Sequence, residues 1–162
     1  MAGHWGIIVS GAQASIRFPK DIYSPSEPII ATILLRNYSD KRLFCVAPFL
    51  SEGPAPFSFI ILDDKGQPLK QKESFDLGSA AMDSTKPLSL AAGWQSKFKQ
   101  RVNSKFDLSK PGTYLICGYC NLGQQDAQGK RTSFKITTTN AVIHVVAQTN
   151  TTPAATNGKS DK

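Results

Sequence analysis

The sequence predicts an all-β fold, an antiparallel β-sandwich of about seven to nine strands. Three observations carry that prediction. Apolar and polar residues alternate over short runs. Turn residues recur about every 8 to 12 positions. No stretch shows the period of an amphipathic helix. The composition agrees: Gly (12) and Pro (10) are spread along 162 residues, and charged residues are only 19%, so the turns use Gly, Pro, Ser and Asn rather than Lys and Glu. With 40% hydrophobic residues, a chain of this length buries a core without disulfides.

The first strand is expected over residues 13–18, where Ala14, Ile16 and Phe18 alternate with Ser15 and Arg17. Pro19 ends its ladder. Ahead of it, residues 5–9 are apolar, and Ala12-Gln13-Ala14 has the form of a signal-cleavage site. That run is too short for a signal core and no Lys or Arg precedes it, so it reads as a loose lead-in to the first strand. Residues 23–28 hold two prolines and make a turn. Residues 29–35 are rich in β-branched side chains and read as a central strand, followed by a polar corner at 36–40.

Residues 43–46 form a short apolar strand, and Pro48, Pro54 and Pro56 make the next stretch a loop. Residues 57–62 place Phe57, Phe59 and Ile61 on one face of a strand. Asp63-Asp64-Lys65-Gly66 then turns the chain into a hairpin. Residues 70–86 have no period and read as a long connection, before a short alternating run at 88–90. Over 94–102, Trp94, Phe98 and Val102 share one parity and Lys97, Lys99 and Arg101 the other. Residues 107–112 turn a corner into an apolar strand at 113–120, and 121–130 form a loop. Residues 132–146 hold the last strand or a bulged pair. One domain is expected over 1–147. The tail, 148–162, is too poor in apolar residues to repay the entropy of ordering and is expected to be disordered.

Two segments carry a resemblance. Residues 22–37, with Tyr23, Glu27, Ile29, Leu35 and Asn37, are similar to the "Y-x-x-G-E-x-I-x-x-x-x-x-L-x-N" opening of many immunoglobulin-like modules, with Ser26 where Gly is usual. Leu90-Ala91-Ala92-Gly93 and Asp107-Leu108-Ser109-Lys110-Pro111-Gly112-Thr113-Tyr114 resemble the "L-x-P-G … D-L-S-x-P-G-x-Y" pattern of bacterial immunoglobulin-like domains, including intracellular-proteinase-inhibitor-type modules. Ala92 stands at the proline position. The resemblance implies an immunoglobulin-like sandwich in which the Tyr114 hydroxyl bonds backbone at the Pro111-Gly112 corner. Ile116 stands where antibody-type domains carry Cys, so no antibody-type disulfide is implied. A bridge, if formed, is expected to join Cys45 to Cys117 or Cys120, as the third and sixth strands adjoin in such sandwiches.

The chemistry-bearing residues point away from catalysis. Three cysteines do not make a disulfide framework; one bridge plus a free thiol and three buried thiols both remain open. Cys117-Gly118-Tyr119-Cys120 is formally C-x-x-C, but it lacks a second ligand pair for zinc and ends a strand rather than opening a helix. Of two histidines, His4 lies in the lead-in and His144 in an apolar strand, where a structural role is expected. Asp63-Asp64 suits turn chemistry better than acid–base work. No nucleophile motif, phosphate loop or dinucleotide fingerprint is present. No catalytic residue, cofactor or metal is expected.

Two surfaces are candidates for a partner. Net charge is +7, and Lys97, Lys99 and Arg101 line the outer face of one strand. They read either as a strip for an anionic partner or as solvated cations that block edge-to-edge pairing. The loop with Phe49, Leu50 and Phe57 is apolar and stiffened by proline, and reads as a partner surface or as a loop folded on the sheet. Asn37-Tyr38-Ser39 and Asn150-Thr151-Thr152 fit the glycosylation sequon. The expected function is a non-catalytic binding module for a protein or an envelope or extracellular component. The alternative is a protease inhibitor acting through a surface loop. An anionic surface or polysaccharide is a further candidate partner. Aromatic content is ordinary at 9%, so nucleic acid is not expected. No membrane span is expected. Periplasmic or secreted placement is expected, with a cytoplasmic one as the alternative.

Overall fold

Alternating apolar residues become, in the computed structural model, the inner faces of two β-sheets that share one core. The structure describes residues 4–46, 49–50, 53–54, 57–72, 87–126 and 128–147. The strands are β1 (Ala12–Arg17), β2 (Ile22–Tyr23), β3 (Ile30–Asn37), β4 (Leu43–Val46), β5 (Phe49–Leu50), β6 (Gly53–Pro54), β7 (Ser58–Leu62), β8 (Pro87–Leu90), β9 (Gln95–Arg101), β10 (Gly112–Gln125), β11 (Arg131–Thr137) and β12 (Ala141–Val145). No helix occurs among the described residues, so none is long and apolar enough to cross a membrane.

The smaller sheet has the order β1-β3-β9 and is antiparallel throughout. The larger sheet has seven strands organised by β10. One side of β10 pairs with β12 and then β11, the other with β7 and then β4. Strand β8 continues from β4, and β2 adds to β12 in parallel. Strands β5 and β6 form a separate hairpin. The described strands therefore exceed the expected seven to nine. Two-residue strands carry no period, so β2, β5 and β6 leave no signal in the sequence. Residues 121–125, expected to be loop, continue β10 and pair with β11.

The expected bulged pair is the β11–β12 break. There the Thr138 amide donates to the Gly118 carbonyl, and the Gly118 amide donates to Thr138 Oγ1, each at 2.8 Å. A threonine side chain thus takes over a ladder bond that the backbone gives up.

Ile16, Ile33, Leu35 and Phe98 from the small sheet pack with Ile61, Ile116, Leu122 and Ile143 from the large one. Burying one such side chain contributes about 1.5–3 kcal/mol. Phe57 belongs to this core: it is 1% exposed and its ring lies 6.2 Å from that of Phe98. This corrects the expectation that Phe57 serves a partner loop, because it shares the inward parity of Phe59 and Ile61. The side chains of Phe49 and Leu50 lie outside the described residues, as does the tail from 148. Trp94, expected to point inward with Phe98, is 68% exposed because β9 begins only at Gln95.

The lead-in is not loose. The Gly6 amide donates to the Ala14 carbonyl at 2.8 Å, and Gln13 Nε2 donates to the Gly6 carbonyl at 2.8 Å. Ser15 Oγ and Thr139 Oγ1 both donate to the His4 carbonyl at 2.9 Å. Residues 4–6 therefore strap β1 of the small sheet to the β11–β12 break of the large one. A Cβ on Gly6 would overlap the Thr137 carbonyl, so only glycine allows this approach.

Candidate functional site

The strand parity that buries Ala31, Ile33 and Leu35 turns their neighbours on β3 outward, and the same holds on β1 and β9. Register then assembles a surface. Arg17 pairs with Thr32, and Thr32 with Lys99. Ser15 pairs with Leu34, and Leu34 with Lys97. Ile30 lies opposite Arg101, and Arg36 lies between Gln13 and Gln95. One sheet face thus presents Arg17, Arg36, Lys97, Lys99 and Arg101. No Asp or Glu occurs in any of its three strands.

Two of these cations are held by neutral partners. Arg36 Nε donates to Gln95 Oε1 at 2.6 Å and Nη1 to the Tyr38 hydroxyl at 3.0 Å, while its guanidinium lies 3.8 Å from the Trp5 ring centroid. Arg101 Nε donates to Asn103 Oδ1 at 3.2 Å. Neither contact neutralises charge. The ion pair found among the described residues is Lys20–Glu27 at 2.6 Å, where the Lys20 hydrogen bond holds the Glu27 carboxyl below its ordinary value. The expected strip of Lys97, Lys99 and Arg101 does point outward, as its parity requires. Arg17 and Arg36 were missed as members. Their outward parity was legible, but no local signal says that β1 and β9 flank β3.

Two hollows adjoin this face. One, of about 430 Å³, lies over Ile30, Thr32 and Leu34 between Phe18 and the Lys97–Lys99 pair. The other, of about 720 Å³, lies between the end of β1 and residues 139–142, with His4 and Asp21 on its rim. Arg17, Phe18 and Pro19 form the ridge between them.

The remaining candidates resolve into structural roles. A third hollow, of about 360 Å³, gathers Asp63, Asp64 and Asp107 with Lys70 and Lys110. Asp63 Oδ1 accepts the amides of Lys65 and Gln67 at 3.0 and 2.7 Å, and Asp107 Oδ1 accepts the Ser109 amide and hydroxyl. The Ser109 hydroxyl and amide hold the Asp107 carboxyl below its ordinary value. These are turn-building contacts, as expected for Asp63. No His, Cys, Asp and Glu cluster suited to a metal ion occurs among the described residues. His144 Nδ1 lies 3.0 Å from Thr113 Oγ1 on the strand paired to its own.

Cys117 and Cys120 project from opposite faces of β10, so the C-x-x-C spacing does not bring them together. Cys120 instead meets Cys45 in the core; all three thiols are free. Its hydrogen bond with Cys45 and its burial push the Cys120 thiol up. Asn37 is 1% exposed, and its amide nitrogen donates to the carbonyls of Lys41, Leu90 and Ala91. That commitment removes it as a glycan acceptor. Asn150 lies outside the described residues.

No protein-family model matches the chain, and no curated protein matches it. Among solved structures, the C-terminal domain of wzt is similar to it, with a TM-score of 0.49 and 14% identity over 91% of this chain and 80% of that one. The X-ray structure of Northeast Structural Genomics Consortium target SoR45 is also similar, with a TM-score of 0.45 and 12% identity over 86% of this chain and 90% of that one. Neither likeness transfers a function.

Proposed function

We propose that the chain is a non-catalytic binding module that takes an anionic partner on the outer face of its three-stranded sheet. The observation that supports this is the joining of Arg17, Arg36, Lys97, Lys99 and Arg101 on one face without a carboxylate in its strands. Like charges set side by side repel one another. An anionic partner relieves that repulsion and is steered to the face by its field. A need to block strand addition does not account for Arg36, which lies on the central strand β3 rather than on an edge. The non-catalytic reading draws on Asp63, Asp107 and His144, whose polar atoms are engaged in turns and strand pairing. The protease-inhibitor alternative loses one of its named contacts with the burial of Phe57.

Retention on immobilised heparin, measured as the eluting salt concentration, tests the proposal. Replacing Lys97, Lys99 and Arg101 together by Gln is expected to weaken binding about tenfold at low salt. Replacing Lys105, Lys110 and Lys130 by Gln changes net charge equally but leaves the face intact, and is expected to weaken it far less. Equal losses in the two triple variants, or no loss in the first, would overturn the proposal.

A further inference from the structure

Within the proposed face, which this inference takes as its starting point, Arg17 differs from the other cations. Its Nε is shielded from solvent and has no hydrogen-bond partner, and the side chain donates to no other group among the described residues. A shielded guanidinium donor without an acceptor is destabilising, and a bound water, an ion or a ligand group would each supply the missing acceptor. Arg17 also stands on the ridge between two hollows, so a ligand in either one reaches it.

The surroundings select the ligand. Along the ridge and the first hollow, Arg17, Lys97 and Lys99 supply positive charge, and no acidic residue lines that hollow. Asp21 is the acidic group on the second rim; Glu27 is paired with Lys20. The floors mix apolar carbon with hydroxyl and amide groups: Ile30, Leu34 and Thr32 on one side, Val142, Thr139 and Asn140 on the other. Such a floor suits rings that carry both C–H faces and hydroxyls. Phe18, the aromatic side chain lining the hollows, packs partly buried against the core. The linings of the two hollows therefore hold no row of exposed rings on which bases would stack. A flat lipid surface meets only the rims of the hollows, whereas an acidic group that enters one meets the Arg17 side chain, which lines both.

We infer that Arg17 is the anchor of an acidic-oligosaccharide site, its guanidinium taking one carboxylate or sulfate group of a chain that crosses the Arg17–Pro19 ridge, with Lys97 and Lys99 taking the next.

The test is calorimetric titration of the full chain with a uronate oligosaccharide, a sulfated oligosaccharide, a neutral one and oligothymidylate, all of matched length. One of the acidic sugars is expected to bind and the neutral one not; which acidic sugar binds tells carboxylate from sulfate. Arg17→Gln is expected to weaken that binding about tenfold or more, and Arg17→Lys to restore only part of it, since an ammonium lacks the planar fork. In the wild-type protein, saturation is expected to shift the Arg17 Nε–H signal in the NMR spectrum, a readout that needs no variant to fold. Unchanged binding by Arg17→Gln together with an unmoved Nε–H signal would overturn the inference. If heparin retention still depends on Lys97, Lys99 and Arg101, the broader reading survives that result; if it does not, both fall. Tighter binding of oligothymidylate than of either acidic sugar would overturn the choice of ligand class.

Discussion

The Tyr114 hydroxyl donates to the Lys110 carbonyl at 2.8 Å across the Pro111-Gly112 corner. This is the bond the resemblance implied, and it ties the loop to the first buried ring of β10. Tyr114→Phe is expected to lower unfolding free energy by about 1.5 kcal/mol, measured by urea denaturation, because the Lys110 carbonyl loses its donor while the ring stays packed. Burial, and then the carboxylates of Asp107, Asp64 and Asp63, raise the Tyr114 pKa from 10.0. A raised folded value means the unfolded chain gives up the phenolic proton first. The contribution is full below pH about 10 and lost as pH rises toward the folded value. The phenylalanine variant is expected to lack that part of the alkaline decline.

Asn37 is the polar centre of the corner after β3. Its Nδ2 reaches three carbonyls, and its Oδ1 accepts the Ser39 amide at 3.0 Å and the Ser39 hydroxyl at 2.7 Å. Asn37→Ala strands several of these groups in a buried setting and is expected to cost about 3 kcal/mol. Thermal unfolding of the variant would show it, and a loss below about 0.5 kcal/mol would contradict the role.

The cysteines are expected to react in two classes. Cys117 is half-buried on the outer face of β10, whereas Cys45 and Cys120 lie in the core. A chromogenic disulfide reagent should find one thiol in the folded, reduced protein and the other two only in denaturant. Simultaneous reaction of all three would contradict the packing.

Gly6→Ala tests the strap. The Thr137 carbonyl is backbone and cannot swing aside, so the methyl group should expel residues 4–6 from their seat. Faster hydrogen exchange at Gly6 is expected, with stability lower by roughly 1–2 kcal/mol.

How much of this was legible depended on how local the signal was. Alternation placed Ile16, Phe59, Ile61 and Phe98 correctly, because strand parity is a property of a few adjacent residues. The Tyr114 corner was legible for the same reason: its whole geometry lies within five residues. The cationic face was legible only in part. Lys97, Lys99 and Arg101 share a strand, while Arg17 and Arg36 join them through pairing across some 60 to 80 positions. Phe57 was misjudged because the proline-rich loop before it dominated the reading, although its parity with Phe59 already pointed inward. The strap was missed because His4 and Gly6 act through backbone groups, which every residue carries.

Strand β10 touches four neighbours: β4 and β7 precede it in the chain, and β11 and β12 follow. During synthesis, β4, β7 and β8 therefore emerge before the strand that unites them. The β1-β3-β9 sheet, by contrast, has all its strands once residue 101 is made. The charged face is thus complete in the growing chain before β10 covers the shared core, and apolar surface left open in that interval is prone to wrong contacts.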